Sequence, residues 1–292
     1  MKESRGDRIF TIVNYTFLSI ILFIVLYPMI YIVSCSFSNP SAVTAGKVWL
    51  LPVDPTLIGY KTIFENKDIV TGYANTIFYT VCGTILAVAL TVLAAYPLSR
   101  KDYKLRNPIM LIFTFTMFFS GGLIPTYLLM SSLGLVNTRA VMVIPGALSV
   151  YNVIITRTFF QSTIPQELLE ASQIDGCSDF VFFGKVVLPL SKAIISVIAL
   201  FYAVGYWNSY FNALIYLHDR NKYPLQMILR EILIQNRMDA EALSSGWMSV
   251  DDLAARQSLF ELLKYSLIIV ASVPVLCIYP FVQKYFVKGV MI

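Results

Sequence analysis

Charge is what this chain has least of. Asp, Glu, Lys and Arg make up 13% of its 292 residues, against about a quarter in an ordinary soluble domain. There is one histidine, His218, which excludes most histidine-based metal sites. The four cysteines, Cys35, Cys82, Cys177 and Cys277, stand far apart with no CxxC pair, so neither a disulfide framework nor a thiolate metal cluster is supported. No Gly-x-x-x-x-Gly-Lys-Ser/Thr phosphate loop is present, and the chain cannot hold ATP in that way itself. His-Glu-x-x-His and Gly-x-Ser-x-Gly are also missing, which leaves little material for hydrolytic chemistry.

What is there is apolar. Hydrophobic residues are 57% of the chain, and the stretches 9–46, 69–99, 107–138, 140–156, 193–217 and 265–283 carry no Asp, Glu, Lys, Arg or His. A helix needs about 20 apolar residues to cross a bilayer. Trimmed and extended at their polar ends, these windows predict transmembrane helices near 11–33, 71–96, 108–131, 140–160, 193–217 and 260–284. Backbone groups in lipid must be satisfied internally, and the windows are too long for barrel strands, so an all-α membrane protein with six spans in one domain, 1–292, is expected. The apolar run behind the charged N-terminus is too long for a signal-peptide core and reads as a retained first span.

Orientation follows from Lys and Arg in short loops. Arg100, Lys101, Lys104 and Arg106 crowd the loop after the second span, and Lys2, Arg5 and Arg8 precede the first. Both places lie on one side, which is taken as the cytoplasm. Parity then puts both termini and the loop 161–192 in the cytoplasm, and loops 34–70 and 218–259 outside. Leu225, Ile228, Leu229 and Ile232 recur at helical spacing, predicting a short amphipathic helix at the outer surface. Behind it, 236–256 reads as an exposed polar loop.

The island 161–192 is polar in a greasy chain. Pro165 suits a helix start, with Thr163 before it as a cap. Glu167 and Glu170 then fall early in that helix, where the dipole favours anions. Gly176 breaks it, Ser178 or Asp179 caps a second helix, and Pro189 ends the segment. Two short helices at an angle, parallel to the membrane, are expected.

Glu170-Ala171-Ser172, three residues, Gly176, nine residues, Val186, one residue, Leu188-Pro189 resembles the EAA motif of ABC-importer permeases. That pattern has a second Ala at 172 and Ile at 186; both departures are mild. Phe119 to Leu129, Tyr206 to Tyr216 and the C-terminal Lys284 to Ile292 resemble the carbohydrate-uptake branch for complex oligosaccharides, alginate-type acidic ones included. The resemblance covers almost the whole chain. It implies a type I importer fold whose island is a pair of coupling helices between spans four and five, seated in a groove of a separate ATPase. Glu167, Glu170, Ala171, Ser172, Asp175, Gly176, Leu188 and Pro189 are the residues it assigns to coupling. Glu170 would pair with a basic residue of the groove, and Gly176 would allow the turn and close approach. The implied partners are two ATPase copies, which bind ATP and Mg, a second homologous permease, an extracytoplasmic solute-binding protein and membrane lipid. No cofactor on this chain and no nucleic acid are expected.

Residues for the pathway are read more openly. Sugars stack on aromatic rings and take hydrogen bonds from amides. Tyr206, Trp207, Asn208, Phe211 and Asn212 cluster in the outer part of span five, either as a sugar-contacting rim or as the aromatic belt of the membrane interface. Asn208 and Asn212, four apart, would share an internal polar face. Tyr151 and Asn152 lie deep in span four, lining a cavity or bonding a neighbouring helix. Gly121, Gly122 and Pro125 would kink span three as a gate, or serve close helix packing. Asn75 reads as a packing group. An ion-coupled secondary transporter is the alternative, but it needs buried acids, and none lies within the first five spans.

Overall fold

The computed structural model describes residues 4–232, 234, 263–278, 280 and 283. Among them all regular structure is helical. The chain divides into two compact units, Met1–Lys67 with Leu229–Pro274, and Asp68–Ile228 with Val275–Ile292.

The first unit is built on α1, Arg5–Ser36. Ser4 caps it reciprocally: its hydroxyl accepts from the Asp7 amide, and the Asp7 carboxylate accepts from the Ser4 amide, both at 3.2 Å. Such a box satisfies two orphan donors at a helix start. Thirty-two residues at about 1.5 Å each exceed the hydrocarbon thickness of a bilayer. None of its most apolar stretch is buried within the chain, so its surroundings are apolar on every side. The helix ends in a serine ladder: Ser34 Oγ donates to Leu50 O at 2.6 Å, Ser38 Oγ to Ser34 O at 2.6 Å, and Ser36 Oγ lies 2.8 Å from Tyr60 OH. These bonds fold the segment that follows, with α2 (Pro40–Thr44) and α3 (Ile58–Glu65), onto a core of Cys35, Ala42, Val43 and Val48. The helix Leu263–Ile278 brings Ser266 Oγ to Ser36 O at 3.3 Å.

The second unit is organised by α4, Lys67–Ser99. Gly72, Thr76, Thr80, Gly83, Ala87, Thr91 and Ala95 form its buried stripe, while Ile77, Phe78, Val81, Ile85 and Leu93 are exposed. The stripe is rich in small residues, with Ile69, Tyr79, Val92 and Leu98 buried beside it, a composition that lets neighbouring helices in lipid approach closely. A Cβ at Gly83 would sit 2.5 Å from the Tyr206 ring, so the close crossing requires glycine. Asn75 is a packing group, donating to Asn221 O at 2.7 Å and Tyr223 O at 3.1 Å.

Three of the later apolar windows, 108–131, 140–160 and 193–217, are not continuous helices. In 108–131, α5 (Arg106–Phe118) and α6 (Leu123–Ser132) meet at 113°. Gly122, at φ 86° and ψ −175°, makes that corner in a region open essentially to glycine alone. Pro125 is not the kink: it sits in the first turn of α6, where a missing amide costs nothing. In 140–160 only α7, Val150–Thr163, is α-helical; Ala140–Met142 is a 3-10 turn and 143–149 is irregular. In 193–217 the helix stops at Trp207 (α11, Lys192–Trp207, preceded by α8, Gln166–Ile174, α9, Asp179–Phe182, and α10, Leu188–Leu190) and restarts as α12, Tyr210–Tyr216. Asn208 and Asn212 therefore do not share one helix face. The amphipathic segment is helical from 225 to 232; 236–256 lies outside the described residues, as does most of 260–284 beyond Ile278.

Candidate functional site

The island forms α8, Gln166–Ile174, then α9, Asp179–Phe182, which widens into a π turn at Phe183–Val187 and ends as α10, Leu188–Leu190. Pro165 itself holds the cap position of α8, with no side-chain bond; Thr163 belongs to α7. α8 ends in a double-bonded turn: Cys177 N donates to Ser172 O at 2.9 Å and Gly176 N to Gln173 O at 3.1 Å. That motif places its first residue past the cap in the left-handed region, and Gly176 has φ 73°. A Cβ there would touch nothing within 4 Å, so within the chain it is the backbone angle, not crowding, that calls for glycine. Ser178 caps α9 by accepting from Val181 N. Pro189 does not end the helix. The π turn before it carries the Leu188 amide to Phe183 O, and the wider turn relieves the clash a proline ring makes with the carbonyl four residues back. The chain turns instead at Ser191, by 78°.

One face of this pair is held by the core. Phe182 and Val187 are buried, with Leu169, Cys177, Phe183 and Val186 packed beside them. The other face is open. Glu167, Glu170, Ala171, Asp175 and Gly176 are exposed, Ser172 and Leu188 partly so. Ile174 is 87% exposed and Phe180 90%. Glu170 accepts from Gln166 Nε2 at 2.9 Å, one turn earlier.

A clamp that sequence reading missed fixes α9. Arg100, its side chain only 13% exposed, donates to Asp102 and to Asp179, both at 2.6 Å. The Arg100 bonds hold the Asp102 carboxyl below the usual carboxylate range, and the guanidinium itself is pushed up chiefly by its bond to Asp102. Arg157 Nε donates to Leu98 O at 2.8 Å, and Arg106 to Arg100 O at 3.3 Å. The loop basic count signalled a membrane edge; which of these residues would pair was not in it.

The pathway candidates separate. Tyr206, Trp207 and Asn152 are buried. Tyr206 OH donates to Val143 O at 2.8 Å, and Trp207 meets Tyr73 edge-on at 5.8 Å. Tyr151, Phe211 and Asn208 are exposed, and Asn208 Nδ2 donates to Val204 O at 2.9 Å. Tyr202 OH lies 2.6 Å from Thr91 Oγ1 and accepts from Ser149 N at 3.0 Å, tying the irregular segment to α4. Among the described residues no cluster of metal-ligating side chains occurs.

Over 292 residues the chain is 38% identical to Protein LplC of Bacillus subtilis (strain 168), covering all of this chain and 96% of that one. It is 39% identical to the polygalacturonan/rhamnogalacturonan transport system permease protein YtcP of the same organism, over 98% of both chains. The chain belongs to the carbohydrate-import ABC transporter permeases. The permease also matches the crystal structure of a bacterial ABC transporter involved in the import of the acidic polysaccharide alginate, with 38% identity, 98% of this chain and 99% of that chain covered, and a TM-score of 0.85. No family model matches the permease.

Proposed function

We propose that the permease is a transmembrane subunit of an ATP-driven importer that moves oligosaccharides, acidic ones above all, across the bacterial cytoplasmic membrane. It crosses six times, with both termini and the α8–α10 island in the cytoplasm. Two copies of an ABC ATPase receive the island and supply ATP and Mg. A second, related permease completes the pathway, and a solute-binding protein delivers the sugar at the outer loops.

One observation carries the reading: the island exposes Glu170 and, on α8 and α9, the almost fully exposed Ile174 and Phe180, in the spacing of the coupling motif. Large exposed apolar groups around a charge mark a surface that another protein covers. ATP-driven closure of the ATPase pair would pull α8, and the Arg100 clamp would carry the movement into α4 and α9. The acidic class is supported by relatives named for polygalacturonan and rhamnogalacturonan, and for alginate. The backbone breaks at 119–122, 143–149 and 208–209 support a pathway there, since irregular backbone at membrane depth is tolerated only inside protein or along a cavity. Tyr151, Asn208 and Phe211 would meet the sugar, with Asn212 nearby. Tyr206, Trp207 and Asn152 would hold the wall behind them.

The test is Glu170→Lys in the reconstituted importer. Reversing one member of a partly buried interface pair costs about 2–5 kcal/mol, so substrate-stimulated ATP hydrolysis and uptake should both fall by at least about thirtyfold. The local bond to Gln166 is exposed and its loss unfolds nothing. Stimulation equal to wild type would remove Glu170 from the coupling surface.

A further inference from the structure

A cavity of about 650 Å³ lies between α8, the end of α7 and the loop after α4. Three arginines and Lys101 line it, and among the described residues only Arg100 of the four forms an ion pair. Arg100 has its two aspartates. Arg106 and Arg157 are half-buried and, among the described residues, bond only to main-chain carbonyls, at 3.3 and 2.8 Å. Among the described residues neither forms an ion pair. Each guanidinium has five donors, so most stay unused. Two partly desolvated cations on one cavity repel, and burial of like charge is tolerated where an anion lies between them. Arg106 is also the first residue of α5, whose first turn has no acid and whose cap residue, Leu105, makes no side-chain bond. The positive end of that helix adds to the same field.

The other walls narrow the anion. Phe160, Ile164, Leu169 and Phe182 supply apolar surface, which inorganic phosphate does not need and an acyl chain or glycerol backbone does. Glu167 and Glu170 line the α8 side, and they disfavour a dianion more than a phosphodiester monoanion. Guanidinium forks match phosphate oxygens two at a time. Basic pockets between transmembrane helices at the cytoplasmic edge take anionic headgroups. We propose that Arg106 and Arg157 bind the phosphodiester of an anionic phospholipid in this cavity, directly beneath the coupling helix. The inference rests on the orientation given above only for the leaflet that supplies the lipid.

Native mass spectrometry of the full-length chain in detergent tests it, with phosphatidylglycerol, phosphatidylcholine and inorganic phosphate as probes. The wild-type chain should retain phosphatidylglycerol over phosphatidylcholine. At about one tenfold step per 1.4 kcal/mol, two headgroup arginines predict an apparent affinity about thirtyfold weaker in Arg106→Gln/Arg157→Gln. Arg106→Lys/Arg157→Lys should keep most of it. A diazirine-bearing phosphatidylglycerol should label peptides spanning 157–169 in the wild type, a readout that stands even where the glutamine pair does not fold. Equal retention of both lipids, label only elsewhere, or full retention by the glutamine pair overturns the proposal. Displacement of the lipid by about 10 mM inorganic phosphate assigns the site to the free anion and overturns it as well. None of these measurements involves the ATPase, so their failure leaves the coupling role of Glu170 standing, and the reverse holds.

Discussion

Gly176 makes a quantitative case because the structure separates two reasons for a glycine. Its φ is 73° and a Cβ would meet nothing within 4 Å. Gly176→Ala therefore costs the left-handed penalty alone, about 1–2 kcal/mol. The corner is exposed and closed by two backbone bonds, from Gly176 N and Cys177 N, so the cost falls on the local turn rather than on global folding. A factor of about 5–30 in the population of the closed corner follows. In nanodiscs, the affinity of the cognate ATPase for the permease should fall by that factor, with thermal melting in detergent unchanged. Gly176→Asn should recover much of the loss, because asparagine visits this region more readily. Wild-type affinity in Gly176→Ala would refute the need for the left-handed corner. Abolished coupling in both variants, far beyond thirtyfold, would refute the conformational explanation and point to close contact with the partner at that spot.

Two further outcomes follow from the second unit. Tyr202→Phe strips the Ser149 amide and the Thr91 hydroxyl of a shared partner, and a stranded half-buried donor costs about 1–3 kcal/mol; melting of the purified chain should drop clearly, and by less in Thr91→Val, where Tyr202 keeps Ser149. Equal, negligible effects would dissolve this link between α4 and 143–149. The Arg100 clamp predicts a pH dependence: because the folded Asp102 carboxyl lies below its usual range, its contribution is complete above the unfolded value near 3.9 and is lost as pH falls through the lower folded value. Melting of the wild type below about pH 4 should fall more steeply than that of Arg100→Gln, and parallel profiles would contradict the clamp.

The island was legible because its information is local. Helix start, left-handed stop and the spacing to Leu188-Pro189 are set by neighbours in sequence, and Gly176 makes the expected turn through its left-handed angle. Thr163 does not cap α8 and Pro189 does not stop the helix, because neither outcome is set by the local stretch alone. A cap is decided by which residue leaves the helical angles first, and a proline stop can be absorbed by a π turn, here preceded by Phe182 and ending at Val187, both buried in the core. Asn208 and Asn212 shared a face only on an unbroken helix.

By itself the sequence determined class and element type. Lipid demands long uncharged runs with internally satisfied backbones, and that demand is written residue by residue into 9–46, 69–99 and their successors. It also determined the motif, whose members lie within twenty residues of one another. Only the tertiary structure decided where those runs break, because hydropathy averaged along a window records length and not whether each amide still reaches its carbonyl. Tertiary structure likewise decided that Tyr206 fills the notch left by Gly83, that Arg100 meets Asp179 across 79 residues of chain, and that Arg106 and Arg157 share one cavity. Those are long-range encounters, and their energies come from packing and burial that no local stretch contains.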